Sequence, residues 1–250
     1  LSSGYTAYGI YNKHSENMPS NCIKISIQKF METPVTVDTI IFTAGSFSNT
    51  HKELVYLNCS LLKEMIDQYP NARFVYVSSA NVYGSHSEVI SEKSAFNSPG
   101  LYGRAKLAGE FIVSMIESFA IVRPVYLYGN GLDNGSFLTH VLRQAKQNKK
   151  IILYGKGQRK QDYLHVNDAA ALCITLAKGQ QNGIFIGATG QSFSNLEVAE
   201  LIKESVPGCT IEFQGKENGN SFFFDAHETW QKCGWKPTIS FSEGIKNMII

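Results

Sequence analysis

The chain has 250 residues, of which 43% are hydrophobic and 18% charged: long enough for a sizeable core and too apolar for a disordered segment. A formal net charge of +2 gives no basic footprint for nucleic acid or an anionic membrane surface. No apolar run approaches the roughly 18–20 residues of a membrane span.

The five cysteines, Cys22, Cys59, Cys173, Cys209 and Cys233, make no Cys-x-x-Cys pair. No histidine cluster supplies metal-ligand spacing. The reading is a cytoplasmic protein with reduced thiols and no metal.

In chain order, Leu1 to Gly4 reads as the end of a helix with its terminal glycine. Tyr5 to Tyr11 and Ile23 to Ile27 read as strands. Thr39 to Gly45 is an apolar strand suited to burial on both faces, and Ala44 and Gly45 at its end let backbone approach a ligand. Thr50 to Glu53 has the spacing of a capping box. The helix after it carries Leu54, Leu57, Leu61, Leu62, Met65 and Ile66 on one face, and Asn58 on the same helix reads by itself as a surface residue.

Phe74 to Val77 is a buried strand that stops in a polar turn, Ser78-Ser79. A helix through Tyr102 and Lys106 follows, with a buried face predicted at Leu107, Phe111, Ile112, Met115 and Ile116. Ile121 to Pro124 is the next strand, with proline at its end. This alternation predicts βαβ units and a doubly wound parallel sheet, an α/β fold.

After Pro124 the pattern changes. Tyr126 to Gly131 is a turn-rich crossing. A helix (Phe137 to Gln147), a strand (Ile151 to Tyr154) and a loop (Gly155 to Asp168) follow, with Asp168 as the cap of an apolar helix. Ser194 and Glu197 form a second capping box, heading a helix through Ile202.

The chemistry concentrates at Ser79, Tyr102 and Lys106. Tyr102 and Lys106 are four apart, so they share one helical face. An ordinary tyrosine, with a pKa near ~10, is too weak an acid for proton transfer at neutral pH. A neighbouring ammonium lowers it toward the working range, and a serine at the strand end can hold a substrate hydroxyl or carbonyl against it.

The joint pattern Val77-Ser78-Ser79-Ala80-Asn81-Val82-Tyr83-Gly84, then Ser98-Pro99-Gly100-Leu101-Tyr102-Gly103-Arg104-Ala105-Lys106-Leu107-Ala108-Gly109-Glu110, resembles the extended short-chain dehydrogenase/reductase family. These are the nucleotide-sugar epimerases and dehydratases. The loop from Gly155 to Asp168 and the tail Cys233-Gly234-Trp235-Lys236-Pro237 extend the resemblance over nearly the whole chain.

The resemblance implies a Rossmann-like region over 1–124. It implies a small α+β substrate lobe over 125–250, with segments returning to the core sheet. It implies NAD or NADP as cofactor and a nucleotide sugar as substrate, with a homodimer as an option. Ser79, Tyr102 and Lys106 become the catalytic residues. Cofactor contacts fall on Lys13, Ala44, Gly45, Asn58, Ser78, Tyr102, Lys106 and Pro124. Substrate contacts fall on Ser79, Asn81, Tyr126, Arg159 and Gln161.

Several positions depart from the family. The strand ending at Tyr11 lacks the carboxylate that binds an adenosine ribose, which leans toward NADP with Lys13 near the 2′-phosphate. An ordinary solvated Lys13 is the other reading. No Asp stands near Ser26, where relatives touch adenine.

Gln161 occupies the place of an arginine that binds the sugar-nucleotide diphosphate. Arg159 either substitutes for it or belongs to a solvated basic turn. Tyr126 stands where relatives often have asparagine. Ala80 and Asn81 replace the Asp-Glu pair of the dehydratases, so an epimerase or 4-keto-sugar reductase is expected, without 4,6-dehydration.

Nothing before Tyr5 matches the family's glycine-rich strand–helix unit, so the sequence is expected to be a fragment of a longer chain, with a gap beside the strand at Thr39. The rival from another class is a non-catalytic dinucleotide sensor or interaction protein on the same fold.

Overall fold

The computed structural model describes residues 4–12, 14–46, 50–132 and 135–249. The expected helix end at Leu1 to Ser3 and the cofactor residue Lys13 lie outside them.

β1 (Tyr8–Tyr11) and β2 (Ile23–Ser26) pair in parallel as a sheet of their own. Ser26, at the adenine position of relatives, caps α1 (Ile27–Glu32) by accepting from the Lys29 amide. β3 (Thr39–Phe42) opens a second sheet.

The next helix begins as α2 (His51–Val55), widens into one π-helical stretch at Tyr56–Ser60, and ends as α3 (Leu61–Gln68). Thr50 occupies its N-cap, but the side-chain bond of the expected capping box is not made. β4 (Arg73–Val77) leads into a 3-10 turn (Ala80–Tyr83), and α4 (Leu101–Val113) and β5 (Phe119–Pro124) follow.

β6 (Tyr126–Tyr128), α5 (Phe137–Asn148) and β7 (Lys150–Tyr154) begin the second half. β8 (Lys160–His165), α6 (Val166–Lys178), β9 (Gly183–Gly187), β10 (Ser192–Ser194), α7 (Asn195–Ser205), β11 (Thr210–Gln214), α8 (His227–Cys233) and α9 (Phe241–Ile249) complete it.

The central sheet has four parallel strands in the order β3-β4-β5-β9. Alternation along its strands builds two cores. Phe74, Tyr76 and Ile121 face α3 and α4, where Leu61, Leu62, Met65 and Val113 meet them. Val75, Ala120 and Val122 face the other way, against Leu172 and Leu176 of α6 and against Phe185 and Trp235. A third core joins α5, α7 and α9 to β7 and β8 through Val141, Ile151, Tyr163, Ala199 and Phe241. The capping box on α7 forms as expected, with both bonds between Ser194 and Glu197.

Four expectations change. β3 is not buried on both faces: it is the outer strand of its sheet, and Ile41 is 39% exposed. No strand among the described residues hydrogen-bonds its outer edge. The Gly155–Asp168 loop contains β8, which pairs with both β6 and β10.

His165, not Asp168, caps α6, its ring nitrogen accepting from the Asn167 amide. Asp168 instead takes the Thr238 amide and hydroxyl and the Ile239 amide, tying α6 to the segment before α9.

Finally, Met115 lies past the end of α4 and is 84% exposed, and α4 does not bury Phe111, which is 68% exposed. It buries Gly103, Lys106, Gly109, Glu110 and Val113, because small residues let the helix backbone approach β4 and the π-helical stretch. Among the described residues no helix is long and apolar enough to cross a membrane.

Candidate active site

β4 carries its chain to the carboxyl edge of the sheet and stops at Ser78-Ser79. Ser79 then caps the 3-10 turn, its hydroxyl oxygen accepting from the Asn81 amide at 3.2 Å. The first turn of α4 lies against this 3-10 turn: a Cβ on Gly103 would sit 2.4 Å from the Asn81 carbonyl oxygen. That close approach brings Tyr102 to Ser79.

Burial raises the Tyr102 phenol above its ordinary pKa, and a hydrogen bond from Ser79 offsets part of the rise. Lys106 is 2% exposed, and its ammonium donates to the Val77 carbonyl at 3.0 Å and the Ala44 carbonyl at 3.3 Å. Burial pushes this ammonium down to about 8, against the pull of the Glu110 carboxylate. It stands 6.0 Å from the centre of the Tyr102 ring.

The expected lowering of the tyrosine by the lysine is therefore not what this geometry gives. The ammonium is committed to two backbone carbonyls, and desolvation of the phenol dominates.

These groups open on a cavity of about 450 Å³. Gly45, Ser78, Ser79, Asn81, Tyr102, Lys106, Pro124 and Tyr126 all line it, from the ends of β3, β4 and β5, the 3-10 turn, α4 and the start of β6. Ala44 contributes its carbonyl to Lys106.

Asn58 lies behind the wall, fully buried in the π-helical stretch. It accepts from the Tyr76 hydroxyl at 2.9 Å and donates to the Leu54 carbonyl, supporting β4 from behind and not meeting a ligand in the cavity.

Arg159 and Gln161 are not among the lining residues. Arg159 donates to the Asn220 carbonyl at 2.9 Å and to the Tyr126 hydroxyl at 3.5 Å, so it backs a residue that does line the cavity. The Gln161 amide oxygen, turned to satisfy both groups, accepts from the same guanidinium at 2.9 and 3.2 Å.

Two features escaped the sequence reading. Phe222 and Phe224 close the cavity from a distant segment. The backbone bonds between Ile90 and the Phe223 and Asp225 peptides hold that segment in place. A run of three phenylalanines in a polar stretch was the available signal.

The second is an ion pair between Glu110 and Arg123, with side chains 6% and 1% exposed. Glu110 stood in the quoted motif, four residues after Lys106, but nothing local pairs it with Arg123.

The cavity suits the nicotinamide end of a dinucleotide. Strand ends converge on it, Gly45 keeps the backbone bare beside the Lys106 ammonium, and the lining brings that cation together with hydroxyl-bearing residues, Ser79 and Tyr102 among them. Among the described residues its lining includes no carboxylate.

The chain is similar to UDP-glucuronic acid decarboxylase 1 of Arabidopsis thaliana, 26% identical over 196 residues, covering 71% of this chain and 45% of that protein. The chain spans 45% to 65% of the length of the curated relatives it first matches.

In fold it matches the UDP-glucose 4-epimerase of Thermotoga maritima, with a TM-score of 0.84 at 19% identity, over 98% of this chain and 90% of that one. It also matches the UDP-glucuronic acid 4-epimerase of Bacillus cereus, solved with UDP-glucuronic acid and NAD. That TM-score is 0.80 at 17% identity, over 99% of this chain and 91% of that one. The model of the NAD dependent epimerase/dehydratase family matches residues 7–186, and with the α/β sheet and the site at its carboxyl edge the chain belongs to that family.

Proposed function

We propose that this chain carries the active site of an NAD(P)-dependent nucleotide-sugar epimerase or 4-keto-sugar reductase, with Ser79, Tyr102 and Lys106 as its catalytic residues. The observation that supports the reading is their convergence on one cavity wall at the carboxyl edge of the sheet.

A bound nicotinamide supplies hydride transfer, the part of the chemistry no side chain here can perform. Lys106 and the Gly45 and Pro124 backbone are the groups to hold its ribose end. Ser79 orients a sugar hydroxyl or carbonyl. Tyr102, protonated at rest because burial raises its pKa, gives a proton to a developing sugar alkoxide and takes one back in the reverse direction.

Ala80 and Asn81 occupy the wall where a dehydratase needs carboxylates, which supports epimerisation or reduction over 4,6-dehydration. Arg159, behind Tyr126, is the side chain proposed for the substrate diphosphate. The lean to NADP rests on the missing carboxylate at the end of the Tyr11 strand and on Lys13.

α2 and α4 are in contact and expose Val55 and Phe111, apolar side chains that support a homodimer. The five cysteines are free thiols, which fits the reducing cytoplasm.

The test is turnover of the full-length protein on UDP-glucose and UDP-glucuronic acid with each cofactor. Tyr102→Phe should lower it by about 10²–10⁴-fold, as removal of a positioned acid–base group does. Unchanged turnover in that variant would overturn the assignment. Cofactor binding without turnover on any nucleotide sugar would favour the sensor.

A further inference from the structure

Glu110 lies on α4 one turn beyond Lys106 and is 5% exposed. One carboxylate oxygen accepts from the Ser78 hydroxyl at 2.5 Å and from Arg123 Nε at 3.0 Å; the other accepts from the Arg123 terminal nitrogen at 2.6 Å. The guanidinium is itself held over the rings of Tyr83 and Phe96, 4.8 and 5.2 Å from their centres.

Each partner adjoins a residue of the cavity wall. Ser78 precedes Ser79, Arg123 precedes Pro124, and Glu110 follows Lys106 by four residues. A single carboxylate thus ties together the three elements that meet at the site.

Burying an ion pair is a poor route to stability, because well-packed apolar side chains of similar volume do as well or better. What the pair does supply is direction, since a two-point guanidinium–carboxylate contact fixes the orientation of both groups.

We propose that Glu110 is a positioning residue for the Ser79, Tyr102 and Lys106 site, holding the β4 turn against α4 through Ser78 and setting the charge around the Lys106 ammonium. The inference rests on the reading of Lys106 and Tyr102 as the acid–base pair. Among the described residues, the titratable groups facing Lys106 are Tyr76 from β4 and Tyr102 and Glu110 from α4. Burial keeps both phenols neutral, so Glu110 is the anion in this set, paired with the Arg123 cation from β5, and it supports the ammonium that burial disfavours.

Two variants of the full-length protein test this. Glu110→Gln removes the charge but leaves the Arg123 guanidinium buried without its counter-ion, which threatens folding. Glu110→Gln with Arg123→Met removes both charges and leaves an amide oxygen to accept from Ser78.

Lys106 is followed by NMR titration of isotope-labelled lysine, its signal assigned by loss in Lys106→Met. The pH profile of kcat/KM is measured alongside. In folded Glu110→Gln the Lys106 midpoint should fall by about half a pH unit or more, and in the double variant, where loss of the Arg123 cation acts the opposite way, it should fall less. Turnover should fall about tenfold or more, with less effect on substrate KM.

A folded Glu110→Gln protein that keeps the parent's Lys106 midpoint, or a folded double variant that keeps the parent's turnover, overturns the proposal. A parent inactive on nucleotide sugars, whose Lys106 midpoint still falls in the variants, overturns the epimerase or reductase reading instead and leaves the coupling of Glu110 to the site supported.

Discussion

Gly109→Ala is expected to be costly although it places the best helix former in the middle of a helix. An added Cβ would stand 2.2 Å from the Tyr76 hydroxyl, 2.5 Å from its ring carbon and 2.8 Å from the Asn58 carbonyl oxygen. Comfortable carbon contacts begin near ~3.5 Å, so the shortfall is about 1 Å. None of the three neighbours can step aside. Tyr76 is fully buried and donates to Asn58 at 2.9 Å, and the third contact is backbone.

Overpacking of this kind costs about 1–3 kcal/mol, and a rigid ring against backbone belongs at the upper end. Better helix propensity returns up to about 1 kcal/mol. The net loss is about 2 kcal/mol, or roughly 4–8 °C in Tm for a chain of this size. Relief of the clash moves α4 away from β4, so Lys106, three residues earlier, loses its contact with the Val77 carbonyl and turnover falls too.

Thermal and urea unfolding of parent and variant measure the first effect. In a Tyr76→Phe background the nearest contact disappears, and the same glycine substitution should cost less. A Gly109→Ala protein as stable as the parent would refute the packing argument.

Two further predictions concern the second half of the chain. Arg159→Ala should raise substrate KM about tenfold, the worth of one charge-assisted hydrogen bond, with less effect on kcat; equal KM values in steady-state kinetics would remove Arg159 from the substrate site. Asp162 is fully buried, and burial lifts its carboxyl from 3.8 to about 6, although Thr189 and the amides that follow it oppose the rise. A folded-state pKa above the unfolded one contributes stability that is present below about 4 and is lost as pH rises through about 6. The parent should therefore lose about 2–3 kcal/mol from this group between those limits, and Asp162→Asn should remove that part of the slope in urea unfolding at a series of pH values. Parallel pH profiles for parent and variant would count against it.

Local rules were enough for the alternation of strand and helix, for the Ser194–Glu197 cap and for the spacing of Tyr102 and Lys106. Each depends on residues within about one helical turn, or on a strand end whose polarity announces itself. The same rules placed Leu107, Ile112 and Ile116 against the cores but misassigned part of the α4 face. Phe111 and Met115 look like core residues by period, but the helix packs through Gly103 and Gly109, which carry no hydrophobic signal at all.

Tertiary structure alone decided the rest. It turned the Lys106 ammonium toward two backbone carbonyls, one at the end of β4 and one just past β3, so burial sets the tyrosine's acidity in place of the lysine. It moved Asp168 from a helix cap to a tie across the chain, and it exposed Ile41 at a sheet edge. It paired Glu110 with Arg123 and brought Phe222 and Phe224 to the cavity. These contacts join positions far apart in sequence, and their partners are chosen by which strand lies beside which. That is a property of the assembled sheet and is not written in any window of the chain.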